Sequence, residues 1–208
     1  SDATLGLNET QAQWAADVSA GHIGRARHLA SDEAARVKRA TALKLPQLVY
    51  EPNALYRFTA ELVKKAEEEA ASELEKLDQR EREELESSLG VGAKGKGAAK
   101  AQRGASGRMK ELEKEQKNRR TRRTRDSLDL ALIDIAGLYR DAMLQAAGAM
   151  DGDGVPVGGH QHPDMAATSK ELARRNSASA LVSCIDAVME CREVLGYNVR
   201  PEVALDAM

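Results

Sequence analysis

Apolar residues recur every three to four positions along most of this chain. The period predicts eight helices, near 9–20, 23–30, 32–45, 53–89, 109–148, 163–175 and 178–195, with a short one at the C-terminal end. Pro46, Pro52, Pro156, Pro163 and Pro201 all fall between these patterns or at their starts, where a missing N–H costs no helical hydrogen bond. In the first three helices Trp14, Val18, Ile23, Leu29, Val37 and Leu43 are expected to face inward, as a small bundle closed by Pro46. The fourth takes its stripe from Leu55, Phe58, Leu62, Ala66, Ala70, Leu74, Leu77 and Leu85; the fifth, from Met109 and Leu112 on to Leu138, Tyr139 and Met143. Between them, residues 90–108 turn to Gly, Ala, Lys and Ser, a low-complexity tract expected to form a flexible loop. The expected organisation is two domains, 1–47 and 48–208.

Composition narrows the class. Only 3% of the 208 residues are aromatic, and Ala, Glu, Leu, Lys and Arg dominate, which favours an all-α protein with an aliphatic core and argues against a β-sandwich. The net charge of -2 gives no overall attraction to nucleic acid, so local clusters carry the electrostatic argument. No apolar run is long enough to span a bilayer and no basic-then-apolar leader opens the sequence, so a cytoplasmic location is expected. The chain opens on polar residues without a methionine and is expected to be a piece of a longer protein.

The densest cluster is basic: Lys117, Arg119, Arg120, Arg122, Arg123 and Arg125 lie within nine residues. If the chain doubles back near residue 99, the two long helices run antiparallel, and Glu73 and Glu81 come beside the stretch from Lys117 to Arg125. Acid then meets base inside the molecule, and opposite-sign faces disfavour wrong registers. The alternative is a nucleic-acid surface, in which the same arginines neutralise phosphates.

Other chemistry is sparse. Cys184 and Cys191 lie seven apart on one helix face, too far for a disulfide with each other, and are expected to be reduced core residues. Two thiols without a CxxC pair make no structural zinc site. His160, His162 and Asp164 have ligand chemistry, but histidines on a glycine-rich loop lack a rigid scaffold; Pro163 and Asp164 read better as the start of the next helix. No GxxxxGK[ST] loop and no nucleophile–base spacing occurs, so no catalytic residue, cofactor or metal is expected in this chain.

Two segments carry a family resemblance. Gly21-His22-Ile23-Gly24-Arg25-Ala26-Arg27-His28 is built as a turn feeding a short helix. It resembles the sensor 2 turn in the lid domain of AAA+ clamp-loader subunits, where a Gly-Ser-x-Arg-x-Ala pattern sends its arginine to the nucleotide. Gly24 stands in the arginine place here and Arg25 follows it, so Gly21, Gly24 and Arg25 form a degenerate version of the turn. At the other end, Leu195, Asn198, Val199, Pro201, Val203, Leu205 and Met208 resemble the close of the clamp-loader collar domain. With the charged hairpin between them, the order of segments is similar to that of the delta prime family of bacterial DNA polymerase III clamp-loader subunits, in its actinobacterial form. The resemblance implies a partial AAA+ lid bundle followed by a helical collar domain with a long antiparallel hairpin. It also implies a place in a hetero-pentamer with delta and tau or gamma subunits, which acts on the sliding clamp and primed DNA. The parent holoenzyme that the resemblance implies is a DNA polymerase, but this portion is expected to hold no catalytic site.

Overall fold

The computed structural model describes residues 9–19, 21–89, 98–197 and 199–208. The described residues are all-helical, with one isolated antiparallel bridge between Met150 and Pro156. In chain order the helices are α1 (Glu9–Asp17), α2 (Ile23–Ser31), α3 (Glu33–Ala42), α4 (Leu45–Leu48) and α5 (Pro52–Ser88), then α6 (Ala98–Ala146), α7 (Ala166–Arg175), α8 (Ala178–Gly196) and α9 (Pro201–Asp206). A 3-10 turn over Pro163–Met165 leads into α7. Local chemistry sets several ends. Gly21 adopts φ +81 in the turn between α1 and α2, a left-handed conformation that a side chain would strain. Asp32 and Ser177 cap α3 and α8 by accepting the backbone N–H of Ala34 and Ala180.

Contacts divide the chain into two compact units. One contains the chain up to Ala60 together with Asp129–Met208; the other is Glu61–Leu128. The division falls inside α5 and α6, not near residue 47, so the first three helices share a unit with α7, α8 and α9.

Within the larger unit, Ala15, Val18, Leu29, Ala30 and Ala35 form a core cluster with Trp14 packed against it. Ile23 and Val37, expected inside, are 75% and 59% exposed. The buried face of α3 is Ala35, Arg39 and Ala42, and Val37 lies two residues, about 200°, from Ala35. A charged residue thus occupies the inward position that the hydrophobic pattern gave to valine. Pro46 does not close the bundle; it stands buried in the first turn of α4.

The second unit is a helical hairpin. Along it, partners on α6 fall in number as those on α5 rise: Glu73 meets Arg123, Asp78 meets Arg119 and Arg120, and Arg82 meets Gln116. That order is antiparallel. Leu62, Val63, Ala66, Ala70 and Leu128 are buried on its apolar face, whereas Leu77 is exposed and its neighbour Asp78 is buried instead. Of the loop expected over 90–108, residues 98–108 are helical instead, because α6 already begins at Ala98; residues 90–97 lie outside the described residues. Alanine, lysine, arginine and glutamine in 98–103 are good helix formers, and buried Ala105 extends the packing, which offsets the cost of Gly107. No helix among the described residues is long and apolar enough to cross a membrane.

Candidate functional site

The most polar interior of the larger unit lies where α2, α3, α6 and the 3-10 turn converge. Arg39 is 5% exposed and faces four partners. Its guanidinium donates to both carboxylate oxygens of Asp164, at 2.6 and 2.9 Å, and through Nη2 to Nδ1 of His162 at 2.7 Å. The same cation stacks over Trp14, 5.4 Å from the ring centroid. Arg25, at the start of α2, donates to Asp134 of α6, whose Oδ1 also lies 3.7 Å from Nε of Arg39 and 3.8 Å from Nε2 of His162. About two turns further along α6, buried Asp141 accepts the backbone N–H groups of Gln161 and His162 at 3.0 and 2.9 Å. Helix ends and loop backbone are thus tied to α6 by two carboxylates.

The protonation states follow from this geometry. Arginine only donates, so His162 accepts at Nδ1 and carries its proton on Nε2, toward Asp134. Burial, then the Arg39 charge, holds the imidazole down to about 4. Burial pushes the Asp134 carboxyl up, while Arg25 and Arg39 pull it back. At Asp164 burial is outweighed by Arg39 and by the Trp14 indole, and its carboxyl stays below the usual range. The cluster is therefore a neutral imidazole wired into a compensated set of charges.

Gly137 makes this packing possible. A Cβ there would lie 2.6 Å from Nε2 of His162 and 2.7 Å from Cδ of Gln161. Gly137→Ala is expected to force the loop off α6 and to destabilise the protein by about 1–2 kcal/mol, the overpacking cost reduced by alanine's better helix propensity. A urea midpoint equal to that of the wild type, followed by Trp14 fluorescence, would show that the loop moves aside without cost.

The site corrects one expectation and fills in two others. His162 is not a loop residue without a scaffold: it is fully buried, and its ring nitrogen faces a guanidinium, which repels a cation. No group of three or more His, Cys, Asp or Glu among the described residues is placed to hold a metal. Arg25 of the degenerate turn is bound to Asp134. Pro163 and Asp164 do open the helical turn that leads into α7, and the Asp164 carboxylate there also receives Arg39. Arg39, Asp134, Gly137 and Asp141 were missed altogether. A signal for the last three existed: they are spaced three and four apart on one face of an otherwise apolar stretch of α6, where polar residues need partners.

A second polar site is the charge ladder of the hairpin. Asp78 is 1% exposed and receives Arg119 at 2.5 Å and Nε of Arg120 at 2.7 Å, while Arg119 also reaches Glu81 with two bonds of 2.9 and 2.6 Å. Gln116 is buried between the helices and donates to the Asp78 carbonyl and to Glu81. Burial alone would raise the Asp78 carboxyl; the two arginines hold it below its ordinary value, and Arg119 holds Glu81 down to about 2. Glu73 receives Arg123 at 2.6 Å on the surface. So three arginines of the basic run face acids of the same molecule, whereas Lys117, expected opposite the acids, is exposed, as is Arg122. Asp78→Asn keeps the shape and removes the charge between two guanidiniums. It is expected to cost about 1–3 kcal/mol in urea denaturation followed by far-UV circular dichroism. An unchanged midpoint would mean that the pair is solvated in solution.

The C-terminal corner shows what its apolar residues do. Leu195, Ala204 and Leu205 are buried where α8 meets α9, and Thr59 of α5 donates to Asp206 at 3.1 Å. Arg192 of α8 is held by Asp129 of α6 through bonds of 2.8 and 3.2 Å. Val199, Pro201 and Met208 are half-buried, Val203 is exposed, and Asn198 lies outside the described residues. Leu195 and Leu205 therefore hold the corner together and present no outward surface. Cys191 is buried and Cys184 half-buried, both free, and burial raises both thiols, Cys191 to about 11. On α8 the outward positions keep Val182, Met189 and, after its end, Tyr197 in solvent. An open recess of about 390 Å³ between α4 and α7 has walls bonded to one another: Gln47 to Thr168, and Arg175 over the Tyr50 ring.

No family model, curated protein or solved structure matches the chain.

Proposed function

We propose that this chain is the C-terminal portion of a clamp-loader subunit of the delta prime type, and that it works as an assembly module within a hetero-pentamer with delta and tau or gamma subunits. In this reading the pentamer acts on the sliding clamp and primed DNA, and the module itself performs no chemistry. The supporting observation is the exposed apolar set Val182, Met189, Tyr197 and Val203 on and beside the two terminal helices, whose other face buries Leu181, Val188, Leu195 and Leu205. Of these, Val182 and Met189 lie seven residues apart on one face of α8, and exposed apolar residues so placed suit a partner helix. The engagement of Arg25 by Asp134 also favours a subunit that leaves nucleotide to its neighbours, because a guanidinium committed to a carboxylate is not available to a phosphate. The DNA-binding alternative loses support from Arg119, Arg120 and Arg123, which already face Asp78, Glu81 and Glu73.

Co-purification tests the proposal. A full-length subunit carrying Tyr197→Ser and Val203→Ser, which spares the buried Leu195 and Leu205, is expected to recover less delta and tau or gamma. Truncation after Leu195 is expected to recover least, because it removes α9 and uncovers the α8 face beneath it. A pentamer yield unchanged by the truncation would show that the corner is not an assembly element.

A further inference from the structure

The outward face of α8 is not simply apolar. Val182, Asp186, Met189 and Glu193 succeed one another at spacings of four, three and four residues, which places them in one row along the helix; Glu190 flanks it. All five are exposed. Apolar and acidic residues therefore alternate along the row. The helix contains one base, Arg192, and it is not free to neutralise the row: its guanidinium is held by Asp129, with Nη1 3.5 Å from the Met189 sulfur. Glu193 accepts from the Tyr197 hydroxyl, at 3.4 Å, and no ion pair among the described residues engages it. In the hairpin, by contrast, the carboxylates of Asp78 and Glu81 are met by arginines of the same molecule.

We infer that the partner of this face is an amphipathic helix whose apolar ridge, resting on Val182 and Met189, is bordered by lysine or arginine that meets Asp186, Glu190 and Glu193. The inference rests on the assembly reading for the identity of the partner, and on charge complementarity for its chemistry. An acidic or neutral ridge is rejected, since like charges brought together at an interface rim are unfavourable and slow the encounter. Rim pairs are individually weak, so their contribution lies in selecting the partner and in a steep dependence on salt.

Two probes separate the chemistry from the identity. The first is a pair of designed helical peptides with the same leucine ridge, one bordered by lysine and the other by glutamate, titrated into the whole chain. The lysine peptide is expected to bind about tenfold more tightly at low salt. The preference is expected to disappear near 1 M salt, where the screening length is about 3 Å. The triple reversal Asp186→Lys, Glu190→Lys and Glu193→Lys, all at exposed positions, is expected to invert it, and Val182→Asp with Met189→Asp to weaken both peptides. Equal binding, no binding, or a preference untouched by the triple reversal overturns the inference. The second probe is the purified delta and tau or gamma subunits. If they bind the wild type and the triple reversal alike, the assembly reading stands and the inference fails. If they do not bind the wild type while the lysine peptide does, the inference stands and the assembly reading fails.

Discussion

Arg39→Ala is expected to remove about 3–5 kcal/mol of stability, the range for breaking a buried ion pair by deleting one partner. Arg39 holds both oxygens of Asp164 and the accepting nitrogen of His162, so its loss leaves a carboxylate half in solvent and an imidazole fully out of it. The protein contains a single tryptophan, Trp14, directly under the Arg39 guanidinium. Its fluorescence therefore reports on the unit that contains the cluster, while far-UV circular dichroism reports on both units. Urea denaturation followed by Trp14 is expected to shift strongly, with the long hairpin affected less. Adding Asp164→Asn to the alanine variant is expected to cost less than the sum of the two single changes, because the second removes a charge that the first has orphaned. A shift below about 1 kcal/mol would show that water replaces Arg39 without penalty and that the cluster is not a keystone of the fold.

Acidification is expected to weaken the same unit before any carboxylate titrates in bulk. The His162 imidazole is held to about 4 in the folded protein, by burial and then by Arg39, against an ordinary value of 6.5. Between those two values the unfolded chain binds the proton and the folded one does not. Stability is thus full above about pH 6.5 and falls as the pH drops toward 4, by up to about 3 kcal/mol at 1.36 kcal/mol for each unit. The groups acting on the ring are Arg25 from α2, Arg39 from α3, Asp134 and Asp141 from α6, and Asp164 from the 3-10 turn. Of these, Asp134 acts in the opposite sense: its raised carboxyl takes a proton earlier in the folded state and returns part of the loss. Below about 4, Asp164, Asp78 and Glu81 add their own losses, since all three are held under their ordinary values. His162→Gln, which can still accept from Arg39, is expected to flatten the profile between pH 6.5 and 4. Unfolding midpoints at pH 4.5 and 7 that coincide in the wild type, or a slope unaltered by His162→Gln, would reject this account.

The hairpin was legible in the sequence, since acidic and basic stretches equally distant from a low-complexity tract leave one antiparallel pairing. Even there the sequence did not place Asp78. Choosing leucine at position 77 and acid at 78 for opposite faces requires knowing that Arg119 and Arg120 come to the same level of the partner helix. Where α6 begins was likewise misplaced, because helix propensity and the packing of Ala105 outweighed the local glycines.

By itself the sequence determined the helical class, the punctuation of the helices by proline and glycine, and the charge complementarity of the two long ones. These are properties of neighbouring residues: the 3.6-residue period, the fixed φ of proline, the freedom of Gly21 and the sign of a nearby charge. Only the tertiary structure decided which face of α3 is inward and why Asp134, Gly137 and Asp141 interrupt an apolar helix. It alone turned His162 from a loop residue into the buried centre of a network. Arg39 lies 125 residues from Asp164 and 123 from His162, and a buried charge is stable only when its partners are already in place. No local pattern encodes such a pairing, because the desolvation that makes it decisive arises only once α2, α3, α6 and the 3-10 turn have come together.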